Sequence, residues 1–231
     1  MYLPDNIHQF DLQNLKRSCK ILPGDAPPAI DSEASQFVAQ RCREYQVGVD
    51  RCAISTAPYK MGRTIFLDFS VSQERQNWAF CHELAHLLLN HDDTSIPSPE
   101  EELNANQLAA ELLLPAEDFI EVARFATLSE LKAEFPHASW EALLRRRLQF
   151  RKGIGTIFDE GNMTFRGASP DLSFPSQPLP EEWNVARDSF NQAQSQNRTT
   201  PVFNVTADYV DTGSGIRRVL LWTESNEDIG S

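Results

Sequence analysis

The stretch CHELAHLLLNH, residues 81–91, decides the fold and the chemistry of this chain. It contains His82, Glu83 and His86 in the pattern HExxH, and apolar residues recur at helical spacing throughout residues 73–89. Residues four apart on an α-helix differ by about 40° in direction and about 6 Å in height. Because two imidazoles at that spacing can reach one metal ion, the sequence predicts a helix that carries a metal site.

Glu83 projects from an adjacent face of the same helix, and we predict that it is the catalytic residue. A carboxylate in that place can accept a proton from water bound to the ion. Zinc lowers the pKa of such a water from near 15.7 to about 7 and polarises a substrate carbonyl. The competing interpretation is a helix that buries one histidine and exposes the other. It is disfavoured because bulky apolar residues flank the motif on a strongly helical segment.

A catalytic zinc site usually has three protein ligands and one open position, so a third ligand must come from elsewhere. His91 is the first candidate, because it follows His86 by five residues. On a continuing helix that spacing turns the side chain about 140° away from His86. His91 is therefore disfavoured as a ligand.

The next helix offers acidic candidates. It is predicted to begin at SPEE, with Ser98 as N-cap, Pro99 in the first helical position and Glu101 three residues after the cap. Both Glu101 and Glu102 border the apolar face that would pack against the HExxH helix, and Glu101 already has a capping role. Geometry leaves both glutamates as candidates and favours Glu102.

The rest of the chain predicts an α+β fold with a mainly helical core and a small β-sheet. A helix is predicted over residues 32–45 with Asp31 as its N-cap, and residues 60–62 are expected to form the turn between strands at 52–57 and 64–69. Further helices are predicted over 116–125, 129–134, 139–150 and 181–193, and further strands over 155–158, 162–165, 202–210 and 216–224. We predict one domain at 1–150 and a small α+β extension at 151–231.

The composition excludes some classes of function. Thirty-three acidic and 21 basic residues give a net charge of −12, which repels phosphate backbones and disfavours direct binding to nucleic acid. One basic cluster, Arg145–Arg147 with Arg151 and Lys152, is interpreted as a solvated helix face. No secretory signal and no run of about 20 apolar residues is evident, so we expect a cytoplasmic protein without membrane contact.

The four cysteines show no spacing typical of a zinc ribbon or of a disulfide framework. They are Cys19, Cys42, Cys52 and Cys81. We interpret them as buried thiols that behave as small apolar side chains.

Two linked motifs carry a resemblance to a known family. HELAHLLLNH followed by ELNANQLAAELLLP resembles the ImmA/IrrE family of metallopeptidases over about residues 52–150. That family pairs HExxH with a pattern resembling E-x-E-A-N-x-F-A-A-x-L-L-M-P, whose first glutamate falls on Glu102. The resemblance implies a zincin-like metallopeptidase core in which Glu102 joins His82 and His86 as zinc ligands. Histidine and carboxylate ligands also accept manganese or iron.

This chain departs from the family pattern at three positions. Asn104 replaces the second glutamate, which is not a ligand, while Leu108 replaces an aromatic residue and Leu114 a methionine. The last two changes are conservative on a buried face. The resemblance does not extend beyond residue 151.

The resemblance implies an endopeptidase that cleaves a helix-turn-helix repressor and thereby switches on mobile-element or stress genes. An acidic surface would suit a basic repressor, since opposite charge speeds encounter. The competing class is a non-cleaving regulator or antitoxin-type partner that retains a structural metal site. Glu83 argues against that class, because a structural site needs no general base. A DNA-binding regulator would require a basic recognition helix, which the sequence lacks. No oligomeric state is predicted.

Overall fold

The computed structural model describes residues 28–52, 57–92, 96–211 and 215–225, together with Leu12 and Leu15. The helices are α1 (Gln36–Tyr45), α2 (Gln73–Leu88), α3 (Pro99–Leu113), α4 (Ala116–Ala123), α5 (Leu128–Glu134), α6 (Trp140–Arg147) and α7 (Pro180–Gln192). The strands are β1 (Gly48–Arg51), β2 (Tyr59–Met61), β3 (Thr64–Leu67), β4 (Ile154–Asp159), β5 (Asn162–Ala168), β6 (Gln196–Thr199), β7 (Phe203–Asp211) and β8 (Arg217–Ser225). The α+β fold class is confirmed. Within the part of the chain that is described, no helix combines the length and the apolar character needed to cross a membrane.

The packing divides the described residues into two compact units. The N-terminal unit contains the described residues up to Ala116 together with Pro136–Ser139. The C-terminal unit contains Glu117–Phe135 and the described residues from Trp140 onward. A division by packing does not test the assignment of functional domains, so the domains at 1–150 and 151–231 stay a prediction.

The sheet of the N-terminal unit has three strands in the order β1-β3-β2. β1 is parallel to β3, and β2 is antiparallel to β3. Helix α2 packs on β2 and β3, and α1 packs on α2. The core of this unit includes five large side chains that are 0% exposed, namely Tyr45, Ile65, Leu67, Phe80 and Leu84. One face of α2 therefore packs against this sheet, and β2 lies close to the C-terminal part of α2 that carries the HExxH motif.

Two local predictions in this unit are wrong. The first helix begins at Gln36 with Ser35 as its N-cap, because Ser35 Oγ accepts a hydrogen bond from Val38 N at 3.1 Å. Asp31 instead accepts from Glu33 N in the preceding turn.

The second error concerns residues 60–62, which were expected to form a turn. Lys60 and Met61 lie in β2, and Met61 pairs with Thr64. The turn is made by Gly62, whose φ of 57° suits glycine, and by Arg63. Four residues of the predicted strand 52–57 lie outside the described residues, and β1 ends before it at Arg51.

The C-terminal unit contains a five-stranded antiparallel sheet in the order β5-β4-β8-β7-β6. The predicted hairpin at 155–165 and the predicted strands before and after residue 212 are confirmed. Helix α7 packs on β6, β7 and β8. The apolar cluster that joins helix and sheet is Phe158, Val185, Ala186, Val205, Ala207, Val219 and Leu221.

The interpretation of the basic cluster as a solvated face holds for Arg145 and Lys152, which are exposed, and is wrong for Arg146 and Arg147. Arg146 and Arg147 are buried, and the Arg147 guanidinium lies 4.3 Å from the centre of the Trp222 ring. Arg151 forms an ion pair with Glu224 at 2.8 Å. A planar guanidinium is weakly hydrated and can stack on an aromatic ring, so an arginine can be buried more easily than a lysine, whose ammonium is strongly hydrated.

The interpretation of the cysteines as buried thiols is confirmed for the three that the structure describes. Cys42, Cys52 and Cys81 are buried free thiols, and burial raises the pKa of Cys42 and of Cys81 to about 12. Cys19 lies outside the described residues.

Candidate metal centre

Helix α2 carries both histidines of the HExxH pattern. The helix begins after Ser72, whose hydroxyl accepts a hydrogen bond from Arg75 N. Toward the end of this helix the Nε2 atoms of His82 and His86 lie 3.1 Å apart, with ring centres 4.7 Å apart. The predicted geometry of residues four apart is thus present. The apolar residues of α2 around the motif, Phe80, Cys81, Leu84 and Ala85, are 0% exposed.

Helix α3 supplies the third group. Its predicted capping box is confirmed, since Ser98 Oγ accepts from Glu101 N at 3.2 Å and Ser98 N donates to Glu101 Oε2 at 2.7 Å. Glu101 is therefore held at the helix start. The two carboxylate oxygens of Glu102 lie 3.5 Å from His82 Nε2 and 3.5 Å from His86 Nε2. The structure thus places the carboxylate of Glu102 beside the two histidines and that of Glu101 at the helix cap.

Small side chains bring the two helices together. The face of α3 that meets α2 contains Ala105, Leu108 and Ala109, all of which are 0% exposed. Two alanines one turn apart from each other and from Glu102 let the backbones approach closely. Helix packing, rather than a flexible loop, therefore holds the carboxylate opposite the imidazoles.

The three groups fit a divalent metal ion. Their ligand atoms lie within 4.8 Å of one another, and the three closest separations are 3.1, 3.5 and 3.5 Å. A tetrahedral zinc ion with bonds of about 2.0–2.1 Å keeps its ligand atoms about 3.3–3.4 Å apart. Burial is the main cause that lowers the pKa of both His82 and His86, which favours the neutral imidazole that a metal requires.

Comparison with known families agrees with this geometry. Residues 46–147 match the family model of the IrrE N-terminal-like domain, peptidase M78. These residues form an IrrE N-terminal-like domain. The match includes β2, β3, α2 and α3, so it covers every group of the candidate site, and it confirms the resemblance to the ImmA/IrrE family of metallopeptidases. No curated protein shows a significant match to the sequence.

Glu83 of the IrrE N-terminal-like domain is a half-buried carboxyl beside the three groups. Burial is the largest cause that raises its pKa, which reaches about 7. The neighbouring Glu102 raises it further, and the ammonium of Lys60 opposes both. A general base with a pKa near the working pH combines adequate basicity with a large ionised fraction. In the metal-free chain the Glu83 carboxyl can therefore gain and lose a proton near neutral pH.

The raised pKa of Glu83 predicts that its carboxyl lowers the stability of the fold at high pH. Folding raises the pKa of Glu83 from 4.5 to about 7, so its contribution to stability is fully present below pH 4.5 and is lost as the pH rises through 7. Glu83→Gln cannot ionise. With metal removed by a chelator, we expect this variant to be more stable than wild type at pH 8 by about 1–3 kcal/mol.

Urea unfolding of both proteins between pH 4.5 and pH 8 measures this difference. Glu100→Gln is the matched control, since Glu100 is exposed in the first turn of α3 and should show no gain. A gain for Glu83→Gln that is as large at pH 4.5 as at pH 8 would contradict the assignment to ionisation.

Two residues near the site were missed at the sequence level. Lys60 donates from Nζ to the backbone oxygen of His91 at 2.9 Å. Lys60 lies in β2, and its side chain is on the opposite face of the strand from Tyr59 and Met61. Because a turn was expected at this position, the sequence did not predict the direction of the side chain. Asn106 lies one turn after Glu102 on α3, and its side chain raises the pKa of His82. The i to i+4 spacing from Glu102 was the available signal.

His91 is not placed among the candidate ligands, in agreement with the sequence argument, but the reason differs. The helix does not continue to residue 91. Instead the chain turns back, and His91 Nδ1 lies 2.8 Å from His86 Nδ1, on the opposite side of the His86 ring from Nε2. His82 differs, since its buried Nδ1 makes no hydrogen bond of good geometry and the polar side chain that acts on the ring is Asn106.

Proposed function

We propose that this protein is a zinc-dependent endopeptidase, with His82, His86 and Glu102 as metal ligands and Glu83 as general base. The observation that carries the proposal is the convergence of three ligand atoms beside a carboxyl whose pKa is about 7. Structural zinc sites are closed by four protein ligands, whereas catalytic sites keep one position open. Within the described ranges the cluster has three members, which favours the peptidase over a partner protein with a structural metal.

The residues of the chain have separate tasks in this mechanism. When bound, the metal ion would act as a Lewis acid that polarises the scissile carbonyl and makes water more acidic. Glu83 accepts a proton from the attacking water and then delivers it to the leaving nitrogen. The side chain of Glu102 is 42% exposed while that of His86 is 6% exposed, so the open side of the site lies toward the carboxylate. A peptide would enter from that side.

Zinc is the proposed ion because two histidines and one glutamate are a frequent catalytic zinc set. The same donors accept manganese and iron, so metal analysis of the purified protein belongs to the test. We place the reaction in the cytoplasm, where a repressor substrate would be found.

A helix-turn-helix repressor is the proposed substrate, and charge supports a basic one. Between Arg75 and Arg124 the sequence has ten acidic residues and neither lysine nor arginine. This segment contains α2 and α3, so the site lies on the most acidic part of the chain. Opposite charge would accelerate encounter with a basic protein and would make cleavage sensitive to salt.

Incubation of the full chain with the helix-turn-helix repressor encoded nearby tests the proposal. We expect cleavage by wild type and a loss of about 10²–10⁴-fold in rate for Glu83→Gln, because a general base contributes about that much. Metal content should stay unchanged in the variant. Cleavage at equal rates by both proteins, or by neither with zinc, manganese or iron, would contradict it. Binding without cleavage would favour the non-cleaving partner.

A further inference from the structure

We propose that His91 is a positioning residue that holds His86 in the tautomer and orientation needed to bind the metal through Nε2. The inference rests on the proposed metal site and goes beyond it, because His91 itself touches neither metal nor substrate. It arises from the contact between the Nδ1 atoms of His86 and His91 at 2.8 Å. The two rings meet edge to face, with centres 4.9 Å apart and planes at 69°.

The backbone explains why a residue five positions later meets His86. Helix α2 ends at Leu88, and Asn90 adopts a left-handed conformation with φ of 56°. The N–H of His91 then donates to His86 O at 3.0 Å, which closes the helix end in the manner of a Schellman motif. The turn carries the His91 side chain back over the last helical turn and onto the His86 ring.

A neutral imidazole has one N–H, and this fixes the direction of the hydrogen bond. His86 Nε2 faces His82 Nε2 and Glu102, so it must keep its lone pair free if it is to bind a metal. The hydrogen of His86 must then reside on Nδ1 and be donated to His91 Nδ1. His91 accepts only if its own hydrogen is on Nε2. With a metal on His86 Nε2, the pair therefore takes one tautomer of each ring, with Nδ1–H on His86 and Nε2–H on His91.

Metal-binding histidines almost always donate their second N–H to an outer-shell acceptor, usually a carboxylate, a carbonyl or water. Here the acceptor is another imidazole. Lys60 stabilises its position, since Nζ donates to the backbone oxygen of His91 and so links this turn to β2. The backbone of His91 is thus fixed at both its N–H and its carbonyl, and this fixes where the His91 side chain begins.

Two other roles for His91 fit the structure less well. As a ligand it would have to face the His82 and Glu102 side of His86, whereas it lies against Nδ1 on the other side. As a helix cap it acts through its backbone N–H, which any residue except proline supplies. Only the positioning role requires a hydrogen-bond acceptor on the side chain of residue 91, and this difference makes the inference testable.

The test compares His91→Ala with His91→Asn in the full chain. Alanine keeps the backbone cap and removes the acceptor, whereas the Asn side-chain oxygen can take the place of Nδ1. We expect zinc affinity, measured by competition with a chelator, to fall about 10–100-fold in His91→Ala and to recover partly in His91→Asn. Asn90→Gly keeps the left-handed turn and is the matched control, with affinity close to wild type.

A second measurement follows the proton itself. In zinc-loaded protein, ¹⁵N NMR of His86 should show zinc on Nε2 and a hydrogen-bonded Nδ1–H in wild type and His91→Asn, and loss of that Nδ1–H hydrogen bond in His91→Ala. Zinc affinity of His91→Ala within about two-fold of wild type, or no recovery in His91→Asn, would overturn the inference. If wild type bound no zinc, the proposed metal site would fail, whereas zinc bound to wild type without the His86 Nδ1–H hydrogen bond would overturn the role of His91 alone.

Discussion

Glu102→Gln is expected to weaken zinc binding by more than the roughly 10–100-fold that follows loss of an outer-shell partner. The amide keeps the size of the side chain but removes the negative charge that lies 3.5 Å from both histidine nitrogens. It leaves two neutral imidazoles to bind a doubly charged ion. Peptidase activity should be lost together with the metal.

The first turn of α3 offers two controls with the same change of charge. Glu100→Gln alters an exposed carboxylate and should leave zinc affinity unchanged. Glu101→Gln perturbs the capping box with Ser98, so it should lower stability without a specific loss of metal.

Chelator competition with all three variants separates these effects. The assignment of Glu102 would be refuted by wild-type zinc affinity in Glu102→Gln. A larger loss of affinity in Glu101→Gln than in Glu102→Gln would refute it equally, because the two glutamates were the alternatives at the sequence level.

Much of this site could be predicted because its signals are local. The HExxH spacing fixes two side chains on one helical face, and Ser98, Pro99 and Glu101 fix where α3 begins. Once both helix starts are known, the apolar faces determine how the helices meet. The α+β class, the HExxH helix, the capping box and the tail strands followed from such short-range patterns.

The misplaced features depend on conformations or contacts that a local pattern does not encode. Helical angles from His86 to His91 assumed a helix that continues, whereas one residue in a left-handed conformation, Asn90, reversed the chain. Asparagine is a frequent residue at that position, so HLLLNH did contain a stop signal. The direction of Lys60 followed from strand register, which depends on pairing with Ile65.

Long-range partners explain the remaining errors. Arg147 was interpreted as solvated because its neighbours are basic, but it stacks on Trp222, 75 positions later in the chain. Glu182, in the first turn of α7, shows the same dependence on distant residues. Its partners are Arg166 on β5 and Thr223 on β8, and no helical pattern could identify them.

Glu182→Gln is expected to destabilise the C-terminal unit by about 3–5 kcal/mol, because it removes one partner of a buried ion pair. Glu182 is 0% exposed and lies 2.9 Å from Arg166, whose side chain is 3% exposed. The carboxylate also accepts from Leu179 N at 2.7 Å and from Thr223 Oγ1 at 2.6 Å. A neutral amide would leave the guanidinium buried without a counter-charge.

The exposed pair between Glu160 and Arg217 in the same unit provides the matched control. Its atoms lie 2.8 Å apart, but both side chains are at least 42% exposed, so Glu160→Gln should lower stability far less than Glu182→Gln. Combining Glu182→Leu with Arg166→Met removes both buried charges and should recover much of the loss. Recovery should stay incomplete, since Leu179 N and Thr223 Oγ1 still lack their acceptor.

Tryptophan fluorescence can report on this unit alone. Trp78 lies in the N-terminal unit, whereas Trp140, Trp183 and Trp222 lie in the C-terminal unit. In a Trp78→Phe background, the urea midpoint therefore follows the unfolding of the five-stranded sheet and its helix. A shift for Glu182→Gln no larger than that for Glu160→Gln would show that burial of this pair contributes no more than an exposed one. The larger shift is expected because the desolvated guanidinium has lost its only buried carboxylate among the described contacts.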